Sequence, residues 1–485
     1  MRRLACVIGF GWLLAGCTDA PREEEQTGTA GLPTTITAGQ DTDDGDDTTG
    51  SDEGETDGGL KLDVPSPDTG NPDGPGDGTC PPLPGTDATL TGTVYAPNQE
   101  IPVSGALVYF TDEAPDGIPQ TVYCAECVEL PCDVPFGLTE ADGSFEIPAY
   151  AGEGYLVVRK GQFMRVTELT VSEGENSFDA EITSLPPENS PNEGMYIPRI
   201  ALAWGSYDRL EDALGKLGLA DTIIQDFQQD FVPGTEQFDI WDNSGGSAES
   251  DSLGSFAQLL GSYTLMEQYH IIFVPCSNDS SLSALNDPAV VDNVRRWVEN
   301  GGKFYASDWS NEFVSLTFGQ YQTFFTEDGS ADIGVYDSTA TVLDDDLNAW
   351  LEALPAGLKD INPLNGGGAD YPTVNNPPTI ETVDNWSGIA ETPAVLVDDG
   401  MGGQIDVGHK VWIEGPGDNG VIPAGNHPLT VTGEYGCGKV MFTTYHMAEF
   451  SDSYVGLTPQ ELVLLYLILE IGVCQEPYDP PPPAG

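Results

Sequence analysis

The chain reads as a multidomain protein: a disordered N-terminal linker, a small all-β sandwich, and an α/β domain on a largely parallel sheet. Three observations predict this. Large apolar residues are nearly absent from 18 to about 87. Between 88 and 186, short runs alternate apolar and polar residues, with turn residues between them. From about 194 to 475, strand-like runs alternate with apolar stripes at helical spacing, the pattern of a sheet layered with helices. A Pro-rich tail, 476–485, follows.

Residues 1–16 have the make-up of an export signal. Arg2 and Arg3 precede an apolar run from Leu4 to Leu14. That run is too short for a bilayer, which needs about 20 apolar residues, but it suits the core of a cleaved signal. The segment Leu14-Ala15-Gly16-Cys17 resembles a bacterial lipobox. The resemblance implies cleavage before Cys17, diacylation of its sulfur and acylation of the new amino terminus, enough chains for stable anchoring. An ordinary signal with a chance cysteine is the alternative. Asp19 stands two residues after Cys17, so no inner-membrane retention signal is read, and an outer-membrane, cell-envelope location is expected.

Charge narrows the partners. Sixteen Lys and Arg face 79 Asp and Glu, a net charge of −63. Nucleic acid is excluded, because phosphate binding needs clustered cations. The same field opposes lying flat on an anionic membrane and favours solubility, weak calcium screening and standing off from the surface. From Cys17 to 87 the chain is an acidic tether with too little apolar surface to offset ordering entropy. As a coil it spans about 45 Å. Its Asp41–Gly50 run lacks the spaced Gly and terminal Glu of an EF-hand loop.

The sandwich is read from Ala88-Thr-Leu-Thr-Gly-Thr-Val-Tyr95, Val103-Ser-Gly-Ala-Leu-Val-Tyr-Phe110, a strand pair about Asp142-Gly143, and Tyr155-Leu-Val-Val-Arg159. Gly92-Thr-Val94, Pro102-Val-Ser-Gly-Ala106 and Thr139-x-x-Asp142-Gly-Ser-Phe145 together resemble the carboxypeptidase regulatory-like family. That resemblance covers about 100 residues. It implies a transthyretin-like sandwich of the carbohydrate-binding-like group, a structural or binding module and not a peptidase. Cys80, Cys124, Cys127 and Cys132 cluster in and before this module. Disulfides among them are expected in an oxidising compartment, with three pairings open; a zinc knuckle is the alternative.

In the α/β domain, Arg199–Trp204, Tyr269–Val274, Lys303–Ala306 and Lys439–Tyr445 read as strands. Leu210, Ala213, Leu214 and Leu217 make a helical stripe ended by Gly218. Asp287 caps a second helix with Pro288 in its first turn and Val290, Val291, Val294, Trp297 and Val298 on one face. Thr458-Pro-Gln-Glu461 is a capping box opening a helix from Leu462 to Ile471 that is apolar nearly all round, as a core helix would be. Residues 315–435, rich in Gly, Pro and Asp, read as a long insertion with some strands.

Two segments, Val298-Glu-Asn-Gly-Gly-Lys-Phe-Tyr-Ala-Ser-Asp308 and Gly436-Cys-Gly-Lys-Val-Met-Phe-Thr-Thr-Tyr-His446, resemble the class I glutamine amidotransferase-like superfamily, especially its trehalose-utilisation-type relatives. The resemblance implies a flavodoxin-like sheet with a cysteine nucleophile on a strand–elbow–helix, served by a His and a Glu. Here Asp308 holds the nucleophile's place, His446 matches the His, and Glu449 is the nearest acid, one residue further than the pattern. Without a thiol at the elbow there is no thioester route, so glutamine hydrolysis is excluded.

Asp308, His446 and Glu449 still have the chemistry of an acid, a base and a proton carrier, and with Cys276 and Ser307 they fall at the carboxyl ends of strands, where ligands collect. The alternative is that they bond the first turns of neighbouring helices. His446-Met-Ala-Glu449 mimics the His-x-x-Glu of zinc carboxypeptidases, but no third His follows it, so no metal is read. Gly205 alone is no dinucleotide fingerprint, and no cofactor is expected. His270, His409 and His427 show no ligand spacing. Cys437 and Cys474 flank the last strand and its returning helix, so a disulfide between them is expected, closing about 37 residues and adding about 3–4 kcal/mol. Cys276 is then left over, as a buried free thiol or a reactive one.

The functional expectation is a lipid-anchored surface protein with a non-catalytic binding or structural role, its partners the membrane through Cys17 and a glycan or surface protein. A hydrolase acting through Asp308, His446 and Glu449 is the alternative, and a calcium-responsive stalk the third.

Overall fold

The computed structural model describes residues 85–125, 128, 130–131, 133–245, 252–325, 334–359, 361, 372–374, 376–398, 403–406, 408–417, 419–420, 422–447 and 454–470. Cys17, the tether up to residue 84, Cys80, Cys127, Cys132, Glu449 and Cys474 lie outside the described residues. All described residues belong to one compact unit, 58–485.

The first strands are β1 (Ala88–Thr93), β2 (Leu107–Thr111), β3 (Phe136–Leu138) and β4 (Ser144–Ala149). They continue with β5 (Gly152–Lys160), β6 (Phe163–Val171), β7 (Gly174–Ser177) and β8 (Met195–Tyr196). They form two sheets, ordered β4-β1-β7 and β3-β2-β5-β6-β8. Strand β4 shows why two sheets form. Phe145, Ile147 and Ala149 are buried while Glu146 and Pro148 are exposed, so one face must be covered. Leu90, Phe145 and Ile147 of the three-stranded sheet share a core with Val108, Leu156 and Val158 of the other.

The second strand set begins with β9 (Ile200–Trp204), β10 (Thr222–Gln225), β11 (Gln228–Phe231), β12 (Asp239–Asp242), β13 (Ile271–Val274) and β14 (Lys303–Ser307). Next come β15 (Thr323–Phe324), β16 (Tyr336–Val342), β17 (Thr379–Asn385), β18 (Ile389–Glu391), β19 (Leu396–Asp398) and β20 (Gln404–Asp406). The last are β21 (Lys410–Gly417), β22 (Gly425–Tyr435) and β23 (Gly438–Thr443). Nine of these make one mixed sheet in the order β12-β9-β13-β14-β23-β22-β21-β16-β17. Its first five strands are parallel. The remaining pairings, β23 through β17, are antiparallel. The sheet is therefore half parallel and not largely so. Four of its strands come from the stretch read as a long insertion, and β21, β22 and β23 follow one another as antiparallel hairpins.

Helices cover this sheet. In the helix Pro288–Glu299 the Asp287 carboxylate accepts from the Ala289 amide at 3.0 Å, and Val290, Val291, Val294, Trp297 and Val298 are buried. At the start of Pro459–Glu470 the Thr458 amide donates to Glu461 Oε2 at 2.7 Å and the Glu461 amide to Thr458 Oγ1 at 3.2 Å. Every residue of that helix is buried. It earns this by joining the two sheet systems: Lys216 bonds Glu461 at 2.7 Å, and Lys160 of β5 bonds Glu470 at 2.7 Å. The Tyr466 ring packs against Trp350 and Trp412, and Trp350 Nε1 donates to the Pro102 carbonyl at 2.8 Å. Gly218 keeps a left-handed backbone (φ 100°) where a Cβ would sit 2.3 Å from the Asn98 amide nitrogen, so this close approach demands glycine.

The cysteine pairing differs from the expectation. Cys437 is bonded to Cys124, 313 residues away, and not to Cys474 or within the Cys80–Cys132 group. The reason is a strap, 117–124, that leaves the sandwich and crosses to the start of the parallel strands. Its Val122 amide donates to the Glu267 carbonyl at 2.8 Å, and His270 Nε2 contacts the carbonyl oxygens of Pro119 (2.9 Å) and Thr121 (3.1 Å). Cys124 thus arrives beside the β22–β23 turn. Cys124 is not available to a zinc knuckle. No described helix is long and apolar enough to cross a membrane.

Candidate functional site

Strands β13, β14 and β23 lie side by side and parallel, and each delivers one titratable residue just past its carboxyl end: Cys276, Asp308 and His446. Asp308 sits on a sharp elbow. Its φ is +52°, a left-handed conformation that Asp tolerates better than most residues, and a 3-10 turn leads from it into the helix Asn311–Phe318. His446 Nδ1 lies 2.6 Å from Asp308 Oδ2. The other carboxylate oxygen accepts from the Trp386 amide at 3.1 Å. The Cys276 thiol hydrogen-bonds the imidazole, and ligand atoms of all three residues fall within 4.8 Å of one another.

The trio is sealed. Asp308 and Cys276 are 0% exposed and His446 4%. Burial raises the Asp308 carboxyl to about 7 against the pull of His446. Burial works against the His446 imidazolium, but Cys276 and Asp308 outweigh it and hold the ring well above its usual range. The raised carboxyl favours a neutral Asp308 and the raised imidazole a charged His446, and Nδ1 and Oδ2 face each other at 2.6 Å. Burial pushes the Cys276 thiol up to about 12, so it is a free, buried and protonated cysteine. Such a thiol is inert, because the thiolate is the nucleophile.

The surrounding polar groups are spent on structure. Ser307 Oγ accepts from the Cys276 amide at 3.1 Å and donates to Asp208 at 3.2 Å, and Asp208 also accepts from the Met447 amide at 3.2 Å. Asp279 accepts from Ser310 Oγ at 2.8 Å and from Asn243 Nδ2 at 3.2 Å, and burial raises its carboxyl to about 8. A Cβ at Gly205 would stand 2.7 Å from the Cys276 carbonyl oxygen, so this glycine serves strand-end packing. The structure thus brings Asp308, His446 and Cys276 together, and Glu449 lies outside the described residues.

Beside the sealed trio is an aromatic group the sequence reading did not single out. Trp309, next to Asp308, meets Trp386 edge-on at 5.5 Å and Tyr207 edge-on at 5.4 Å. All three side chains are half-buried. The indole N–H groups of Trp309 and Trp386 have no hydrogen-bond acceptor among the described residues, an uncommon state for a buried donor. Tyr207 Oη donates to Asn278 Oδ1 at 2.7 Å, and Asn278 Nδ2 to Ser206 Oγ at 3.0 Å. The signal was present as an aromatic after each of three strand ends, but only the fold makes them neighbours. A concavity of about 720 Å³ lies between the outer face of the sandwich and the strap, lined by Tyr109, Ile118, Tyr123, Arg159 and Met164.

No family model matches this chain, and no curated protein matches it. Among solved structures it is similar to a ThuA-like protein from Bacteroides uniformis ATCC 8492, at 12% identity over 56% of this chain and 91% of that one, with a TM-score of 0.28. It is also similar to a cytoplasmic protein from Salmonella typhimurium, at 12% identity over 57% of this chain and 98% of that one, with a TM-score of 0.26.

Proposed function

We propose that this chain is a lipid-anchored, cell-surface binding protein without catalytic activity, and that its α/β part is a degenerate glutamine amidotransferase-like, flavodoxin-type module turned to recognition. One observation carries the reading. At the strand edge where an enzyme would keep its reactive groups open, Asp308, His446 and Cys276 are sealed and bonded to one another, while Tyr207, Trp309 and Trp386 stay partly exposed. Partly exposed aromatic faces suit a ligand with apolar ring faces, the chemistry of a neutral glycan. The elbow at Asp308 and the His on the neighbouring strand support descent from a nucleophile-elbow enzyme. The two-sheet part serves as spacer or as a transthyretin-like, carbohydrate-binding-like platform. Anchoring through Cys17 in the outer membrane rests on the signal-like residues 1–17, and calcium screening of the tether on its charge.

The test is a titration of tryptophan fluorescence with a panel of neutral oligosaccharides, run beside chromogenic ester, amide and glycoside substrates. Binding that disappears in Trp309→Ala and Trp386→Ala, with no turnover, is the expected result. Turnover that Asp308→Ala abolishes would overturn the reading and restore the hydrolase.

A further inference from the structure

The hairpin of β10 and β11 ends in a feature with no internal purpose. Its two-residue turn is Asp226-Phe227, with φ of +49° and +70°. Such turns favour Asn-Gly, and a bulky side chain at positive φ is disfavoured. Phe227 is nevertheless 54% exposed, so packing does not repay the conformation. Ile223 and Ile224 on β10 are 44% and 60% exposed. The base of the hairpin, by contrast, is fixed. The Phe231 amide donates to Asp212 Oδ1 at 2.7 Å, and Arg209 Nη1 binds Asp230 at 3.0 Å and Asp212 at 3.1 Å. A rigid stem thus presents an apolar tip to solvent, and strain of this kind collects where a contact with another molecule uses it.

Two further observations say what that molecule is. Among the described residues β10 pairs with β11 alone, so its outer edge offers a row of backbone donors and acceptors next to β-branched side chains. Beside the hairpin is a cavity of about 510 Å³ that shares Thr222 and Gln229 with it and is rimmed by the exposed acids Glu100, Glu188 and Asp221. The one cation of that lining, Lys216, is held by Glu461 at 2.7 Å. A second copy of a chain with net charge −63 would meet the rim with repulsion, as would an anionic lipid surface.

We propose that the β10 edge, with Ile223, Ile224 and Phe227, docks an extended polypeptide of alternating apolar and basic residues, which adds a strand to the hairpin while its cations face Glu100, Glu188 and Asp221. Strand addition supplies affinity through main-chain bonds, and alternate side chains supply selection. This surface shares no residue with the aromatic edge, so it stands or falls apart from the glycan reading.

The experiment uses the full chain and a fluorescein-labelled decapeptide of alternating Lys and Val, followed by anisotropy, with an alternating Lys and Ser peptide of equal charge as comparison. Saturable binding of the Lys/Val peptide is expected, weakened about tenfold or more by Ile224→Asp and by the pair Glu100→Lys with Glu188→Lys. These are surface changes, and circular dichroism checks that the fold is kept. Equal binding of both peptides, or Lys/Val binding indifferent to Ile224→Asp and Phe227→Ser, overturns the proposal. So does wild-type dimerisation by light scattering that Ile224→Asp abolishes, which would assign the edge to a second copy.

Discussion

Lys160 Nζ and Glu470 Oε2 are 2.7 Å apart, 310 residues apart in sequence, and both side chains are buried. One belongs to the sandwich strand β5 and the other ends the last described helix, so this ion pair spans the junction of the two sheet systems. Removing one partner leaves a charge stranded in the interior, which costs about 3–5 kcal/mol, whereas replacing both by apolar residues of similar size is close to neutral. Glu470→Gln is therefore expected to lower stability by about that amount in urea unfolding, and Lys160→Met with Glu470→Leu to recover most of it. Equal loss in the single and double variants would contradict this.

The Cys124–Cys437 bond closes 313 residues. Long closed loops restrict the unfolded chain most, and a loss of about 3–5 kcal/mol on Cys437→Ser is expected. Non-reducing peptide mapping should recover a peptide joining Cys124 to Cys437. A Cys437–Cys474 peptide in its place would contradict the pairing.

His270 holds the strap in one protonation state. Its Nδ1 accepts from the Arg199 amide at 2.8 Å, so the proton is on Nε2, which donates to the carbonyl oxygens of Pro119 and Thr121. Burial, helped by Lys303, lowers its pKa to about 4. Because the folded value is depressed below the usual 6.5, the stabilisation is whole above about pH 6.5 and is lost as pH falls through about 4. NMR should show His270 titrating near pH 4, with the Val122 amide shifting at the same midpoint. Titration near 6.5 would disprove the burial argument.

Cys276, protonated and enclosed, should resist iodoacetamide in the native protein and react once urea unfolds it. Rapid native labelling at Cys276, mapped by mass spectrometry, would mean the strand edge opens and would reopen the case for a nucleophile.

What the sequence made legible was local. The Asp287 cap, the Val290–Val298 stripe and the Thr458–Glu461 capping box stand where their side-chain spacing put them, because each depends on residues three or four apart. Asp308 and His446 could be placed at one edge because each follows a buried strand. The half-antiparallel sheet was not legible. The residues of β16, β17, β21 and β22 sit among Gly, Pro and Asp, and their pairing is set by partners far along the chain. The Cys124–Cys437 bond and the Trp309–Trp386 contact were hidden for the same reason: they join segments 313 and 77 residues apart, where spacing carries no signal.

The burial of the helix Pro459–Glu470 on every side has a consequence for how the chain is made. Its apolar residues share one core with strands that begin at residue 88, so the centre of the molecule joins segments far apart in the order of synthesis. The early strands cannot finish covering their inner faces until that helix arrives. A nascent chain must therefore keep those apolar faces uncovered until residues 459–470 have been made.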